Sequence, residues 1–117
     1  MSSRKDKIRT YFDGFRESDH TKILALLTED VVWDIYGHRH LEGKEAFDGE
    51  IENEGFEGSP ELTVDRLIEE GDTIAVPHVG KGTRSDGGQF SFAATTVFTF
   101  DGDLISHVES YVVPIQT

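Results

Sequence analysis

Gln89–Val113 reads QFSFAATTVFTFDGDLISHVESYVV, and the reading of this stretch decides the fold. In an extended chain successive side chains point to opposite faces. Phe90, Phe92, Ala94, Thr96, Phe98 and Phe100 therefore share one face, and Gln89, Ser91, Ala93, Thr95, Val97 and Thr99 the other. Four phenylalanines on one side of one strand need a cover. The opposite side is small and uncharged, so it suits flat packing against another sheet. Asp101-Gly102 turns the chain back into a last strand, Leu104–Val113. A Gly-bearing turn between alternating strands is a strong hairpin signal.

Upstream, Asp86-Gly87-Gly88 and Gly71-Asp72 are further turns, and they bound strands over Leu62–Glu69 and Ile74–Lys81. Pro77 has no N–H to give a ladder, so it marks an edge or a bulge. Residues 52–60, acidic and Gly-rich, read as a loop with only Phe56 to bury, either a plain surface loop or a lid. A short helix is predicted over 44–51 and a strand over Val31–Tyr36. Ile8, Tyr11, Phe12 and Phe15 fall at i, i+3, i+4 and i+7, one apolar stripe on a helix over 3–17. Ser18-Asp19 breaks that helix and caps a second, whose stripe is Ile23, Leu26 and Leu27. Helices first and a meander after make an α+β fold. The helices cover the Phe-rich face, the sheet curves around them, and the open end leaves an apolar pocket.

Composition narrows the function. The 117 residues predict one domain over 1–117. There is no cysteine, which excludes disulfides, thiolate chemistry and Cys-ligated metals. The net charge of −12 argues against nucleic acid and anionic membrane surfaces as partners. No apolar run is long enough to span a bilayer, and no apolar stretch follows the N-terminus, so a cytoplasmic protein is expected. Gly87-Gly88 falls in a hairpin turn, not a phosphate cradle, so no cofactor is expected. From Gln89 onward the chain holds three of its 23 acids, Asp101, Asp103 and Glu109, and Glu109 alone lies within a strand.

Several segments in order carry a family resemblance. They are Tyr11-Phe12-Asp13-Gly14-Phe15, Ser18-Asp19, Leu24 through Trp33, Glu42-Gly43-Lys44-Glu45-Ala46-Phe47, Glu70-Gly71-Asp72, Asp86-Gly87, and Asp101 through Ile105 running on to Tyr111. Over roughly residues 5–114 the chain resembles the SnoaL-like and ketosteroid-isomerase-like proteins of the nuclear transport factor 2-like superfamily. The resemblance implies a cone-shaped fold with a deep apolar pocket, commonly a homodimer packed through the outer sheet face. It implies a donor tyrosine at Tyr11 and a pocket wall at Trp33. The isomerase's base aspartate matches Ile35, with Asp34 one residue earlier, and its second donor matches Thr96. The acid that often follows the last tyrosine by two residues matches Val113. Ketosteroid isomerase activity itself is therefore not expected.

What remains is carboxylate, imidazole and hydroxyl chemistry. His107, Glu109, Tyr111 and Val113 alternate with Ile105 along the last strand. If that face lines the pocket, His107 and Glu109 stand about 6.5–7 Å apart, a spacing that suits general acid/base work across a small substrate. The alternative is a Glu109 paired with Arg66 or a lysine on a neighbouring strand. The expected catalytic set is Glu109, His107 and Tyr11. The expected lining is Phe15, Trp33, Ile35, Phe47, Phe92, Thr96, Phe98, Tyr111 and Val113. His38 and His40 have the spacing of a metal pair, but no third ligand is evident and no metal is assigned. His78 reads equally as pocket lining or as a surface group. The function expected is a small-molecule enzyme on a compact apolar substrate. The alternative is a ligand-binding or dimeric assembly module without chemistry.

Overall fold

The computed structural model describes residues 3–51, 56–84 and 86–115, with the backbone alone for 56–60. Helix α1 (Ser3–Glu17) buries Ile8, Tyr11 and Phe12, the stripe its sequence predicts. An arginine near each end straps it to the sheet. Arg4 donates to Asp72 Oδ1 (2.8 Å) and to the Gly102 carbonyl (2.8 Å), and its guanidinium lies over the Phe100 ring. Arg16 donates to the Leu62 carbonyl (3.0 Å).

Ser18 takes a positive φ of 51°, and Asp19 caps α2 (His20–Leu24) by accepting from the Lys22 N–H. The second helix was expected to carry Leu27 on its stripe. It stops at Leu24, and Leu27 opens β1 (Leu27–Ile35), buried beside Ile105 of the last strand. Gly37, at φ 81°, turns β1 into β2 (Arg39–Glu42), a strand where Gly37 and Arg39 suggest a loop. Helix α3 (Lys44–Ile51) follows as predicted and buries Phe47 and Ile51.

The remaining strands are β3 (Phe56–Val64), β4 (Ile68–Glu70), β5 (Thr73–Arg84), β6 (Gln89–Asp101) and β7 (Leu104–Pro114). The sheet order is β2-β1-β7-β6-β5-β3, with β4 also on β5. Every pairing is antiparallel except β1 with β7. The architecture is thus α+β, a curved, unclosed sheet around N-terminal helices. The expected loop over 52–60 is corrected in part: residues 56–60 are strand, and 52–55 lie outside the described residues. A register shift between Glu57 and Glu61 accommodates Gly58-Ser59-Pro60 within β3. The strand expected over Leu62–Glu69 breaks after Val64. Pro77 sits at that break, where the neighbour of β5 changes from β3 to β4. Its carbonyl accepts from the Asp65 N–H (2.9 Å), and its missing N–H faces the gap.

One irregularity sets the faces of β7. Thr99 pairs with His107, but Phe100 pairs with Ile105, so Ser106 is an extra residue, a β-bulge. Its hydroxyl donates to the Thr99 carbonyl (3.2 Å). The bulge lets Ile105 and Val108, three residues apart, both bury beneath the helices.

Helices α1 and α2 meet at Gly14. A Cβ there would lie 2.5 Å from Cγ1 of Ile23, a fully buried side chain with no free direction to move. Alanine in place of a helical glycine gains about 1 kcal/mol in propensity, while overpacking costs about 1–3 kcal/mol. Gly14→Ala is expected to lower the urea midpoint, and the loss should vanish in an Ile23→Ala background. A raised midpoint for Gly14→Ala alone would contradict the close approach.

Candidate functional site

The inner face of the sheet, beneath α1 and α3, is an aromatic enclosure. The Tyr11 ring packs on Phe15 (4.9 Å) and edge-on to Phe98 (4.8 Å). Trp33 stacks on Phe47 (4.4 Å) and meets Phe15 edge-on (6.1 Å). Phe92 lies over Gly80, a position that a Cβ would fill. Ile35, half-buried, shares the Trp33 face of β1.

Four polar side chains interrupt this apolar surface: Tyr11 (4% exposed), Thr96 (5%), Ser110 (7%) and His78 (8%). No charged residue joins them among the buried described residues. Thr96 and Ser110 are cross-strand neighbours on β6 and β7, and Thr96 is also opposite Val76 of β5. Ser110 Oγ accepts from the Trp33 indole N–H (3.0 Å), which fixes that ring and leaves the Ser110 hydroxyl proton to give. His78 Nδ1 donates to the Val76 carbonyl (3.0 Å), so the lone pair of the neutral ring is on Nε2. Its ring meets Phe12 (4.9 Å) and Phe92 (6.2 Å) edge-on. Burial pushes this imidazole below its ordinary range, against the opposing effect of the Val76 carbonyl. Burial likewise raises the Tyr11 phenol well above its usual value, so Tyr11 is a donor that keeps its proton.

Among the described residues, the Tyr11 hydroxyl, the Thr96 hydroxyl and His78 Nε2 make no hydrogen bond. Nor are they sealed: the enclosed side-chain atom without a partner is Thr28 Oγ1. Unpaired polar groups cost free energy in an apolar interior unless water or a ligand meets them.

His107, Glu109, Tyr111 and Val113 do not join this set, which corrects their expected inward facing. The Ser106 bulge shifts the alternation by one residue, so Val108 and Ser110 point in and these four point out. On the outer face, Glu109 Oε2 accepts from Tyr36 (3.1 Å) and Tyr111 (3.5 Å), whose rings are 4.8 Å apart. The Glu109 carboxylate holds the Tyr36 phenol up at about 12. Neither Arg66 nor a lysine takes Glu109; Arg66 pairs with Asp65. The Asp34 carboxylate is bonded by two imidazoles, His40 Nδ1 from β2 and His107 Nε2 (2.8 Å) from β7. His40 Nε2 also meets Glu42 (2.9 Å). His38 and Arg39 both flank Glu50 of α3, at 3.5 Å. Among the described residues no group of His, Asp and Glu is placed to hold a metal ion.

Beside these clusters runs a shallow groove of about 690 Å³, lined by Asp65, Pro77, His78, Val79, Tyr111 and Val113 among others. Val113 is 64% exposed, Val79 47% and Tyr111 46%. Ser110 was not among the expected site residues, and His78, open between pocket lining and surface, is buried. His78 had a usable signal, since it lies an even number of residues from the buried Ile74 and Val76. Ser110 had none, because its facing depends on the bulge.

The fold is the cone of the nuclear transport factor 2-like and ketosteroid-isomerase-like proteins. An NTF2-like protein of unknown function from Burkholderia pseudomallei superposes with a TM-score of 0.85 at 20% identity, covering 97% of this chain and 92% of that one. TerC, co-crystallised with polyporic acid, superposes at 0.84 and 21% identity, covering 96% and 92%. An epoxide hydrolase of LEH-like type from M. tuberculosis superposes at 0.81 and 14% identity, covering 94% and 82%. No curated protein matches by sequence. Residues 8–108 match the SnoaL-like domain, and the chain belongs to that family. Among the described residues no helix is long and apolar enough to cross a membrane.

The outer-face cluster makes stability depend on pH. Hydrogen bonds from His40 and then His107 hold Asp34 below its usual range, and Asp34, then Glu42, raises His40. The Asp34 contribution is present above the unfolded carboxylate value of about 3.9 and is lost as pH falls through its depressed one. The His40 contribution is full below about 6.5 and is lost as pH rises through its raised value. Urea midpoints should therefore be highest between about pH 4 and 6.5, and Asp34→Asn should flatten both limbs. A wild-type profile that Asp34→Asn leaves unchanged would rule the cluster out as the source.

Proposed function

We propose that this chain is a small-molecule enzyme of acid/base type, acting on a compact, uncharged ligand held inside the cone. The observation that carries this reading is the Tyr11 hydroxyl, buried, protonated and without a hydrogen-bond partner among the described residues. A ligand oxygen supplies the missing acceptor. The Thr96 and Ser110 hydroxyls lie on the same face, and Trp33, Phe15, Phe47, Phe98, Phe92 and Ile35 form the walls. With no charged residue among the buried described residues, a charged ligand would be desolvated without compensation, so the ligand is neutral. The polyporic acid bound by TerC and the hydrolase activity of the LEH-like neighbour agree with a ligand-holding interior on this fold.

Trp33, the sole tryptophan, stacks in the wall and reports occupancy by its emission. Three probes isolate the Tyr11 contribution: naphthalene, 2-methoxynaphthalene and 2-naphthol. Tyr11→Phe is expected to weaken both oxygenated probes about tenfold, the value of one hydrogen bond, and to leave naphthalene unchanged. If no probe alters Trp33 emission, or if Tyr11→Phe weakens all three alike, the reading fails.

A second reading concerns assembly and is compatible with the first. The groove carries the exposed apolar side chains Val79, Tyr111 and Val113 alongside Asp65. Two copies related by a twofold axis bury these apolar side chains against each other. Light scattering at micromolar concentration is expected to give a dimer, and Val113→Glu a monomer. A wild-type monomer would dismiss it.

A further inference from the structure

We infer that His78 is the proton acceptor of this interior, and that the substrate presents it with an acidic hydroxyl, a phenol or an enol. The inference rests on the interior ligand site proposed above and adds the second half of its hydrogen-bond pattern. Tyr11 can only donate to a ligand in its protonated state, so it selects for an acceptor oxygen. His78 is the opposite. Its Nδ1 proton is committed to the Val76 carbonyl, which is an acceptor only and so fixes the tautomer. Nε2 is left with a lone pair and no donor among the described residues, on a ring 8% exposed.

The surroundings keep that lone pair free. The ring is flanked by Phe12 of α1 and Phe92 of β6, with Ala94 across the β5–β6 pair and Val64 across the β5–β3 pair. The nearby helix cation, Arg16, is spent on the Leu62 carbonyl and on Asp13. Burial and this apolar shell disfavour the charged ring in the empty protein, so the imidazole meets a substrate as the neutral base. Both Tyr11 and His78 touch Phe12, on the helix that roofs the sheet. A ligand hydroxyl that donates to Nε2 while its oxygen accepts from Tyr11 satisfies both.

The step balances without a co-reactant. The ligand O–H bond breaks, a bond forms from that hydrogen to Nε2, and the O–H electron pair stays on oxygen as a phenolate or enolate. The imidazolium and the anion form one ion pair, neutral overall. The same proton returns from Nε2 to oxygen, or to a carbon of the enolate to give the keto form.

The test uses the same probes, split by what they can donate. 2-Naphthol can donate and accept; 2-methoxynaphthalene can only accept. His78→Leu is expected to weaken 2-naphthol about tenfold and to leave 2-methoxynaphthalene unchanged. Nitrogen-15 NMR of the unaltered protein needs no variant. His78 Nε2 should resonate as an unprotonated neutral nitrogen at pH 6 and move towards the protonated position with 2-naphthol only. Equal weakening of both probes by His78→Leu, or a His78 already cationic or carrying its proton on Nε2 at pH 6, would overturn the inference. If Tyr11→Phe still separates oxygenated probes from naphthalene while His78→Leu separates nothing, the interior site stands and the role of His78 falls. If no probe binds, both fall together.

Discussion

The Ser106 bulge is the constraint on which the two faces of this molecule depend. β7 must bury Ile105 beside Phe100 and Val108 beside Phe98. Strict alternation cannot do both, because residues 105 and 108 have opposite parity. One extra residue resolves it, at the cost of a single ladder irregularity. From that point every side chain of β7 is committed. Ser110 is delivered to Trp33 and Thr96, while His107 and Glu109 are delivered to Asp34 and the tyrosine pair outside. A regular strand would have put a carboxylate where the serine is.

The exchange sets the electrostatic character of the interior. With Glu109 outside, the buried polar groups among the described residues include three hydroxyls and one imidazole, and no carboxylate. Neutral groups in a low-dielectric enclosure cost far less to desolvate than a carboxylate. The helices can therefore close tightly over the sheet, as the Tyr11–Phe98 contact requires. The chain's ionic groups act at its margins. Arg4 and Arg16 bind α1 to carbonyls and turns, and Asp34 gathers His40 and His107 across three strands.

Much of the fold was legible because its signals are local and periodic. The four-phenylalanine face of β6, the stripe of α1 and the Asp-Gly turns each depend on neighbours within a few residues. Tyr11, Phe98 and Thr96 belong to those elements and are buried, as is Trp33 of β1. The facing of β7 was illegible for a physical reason. Ser106 needs no special φ, carries no glycine and leaves the local composition ordinary, so parity counted from Ile105 gives the wrong face for everything after it. The end of α2 was hidden in the same way. Leu27 fits a helical stripe, and only its pairing with Ile105, 78 positions away, makes it strand. The short β2 strand is specified by its neighbour β1 and not by any pattern of its own.

The same logic explains why His78, and not His107, is the interior imidazole. β5 runs without a register shift against β6 from Thr73 to Thr83, so parity counted from the buried Ile74 and Val76 holds through His78. Where a ladder is regular, a histidine two residues beyond a buried valine faces the core, and its ring must find an acceptor there. The backbone carbonyl of that valine is within reach, and it takes Nδ1. The second nitrogen then has no partner among the described residues, because the neighbours that the ladder brings alongside are Ala94 and Val64. An orphan lone pair on a fixed ring is thus a consequence of strand regularity, as the outward carboxylate is a consequence of strand irregularity. Among the described residues the imidazole buried in the cone is thus one of five histidines, while none of the chain's acids is buried there.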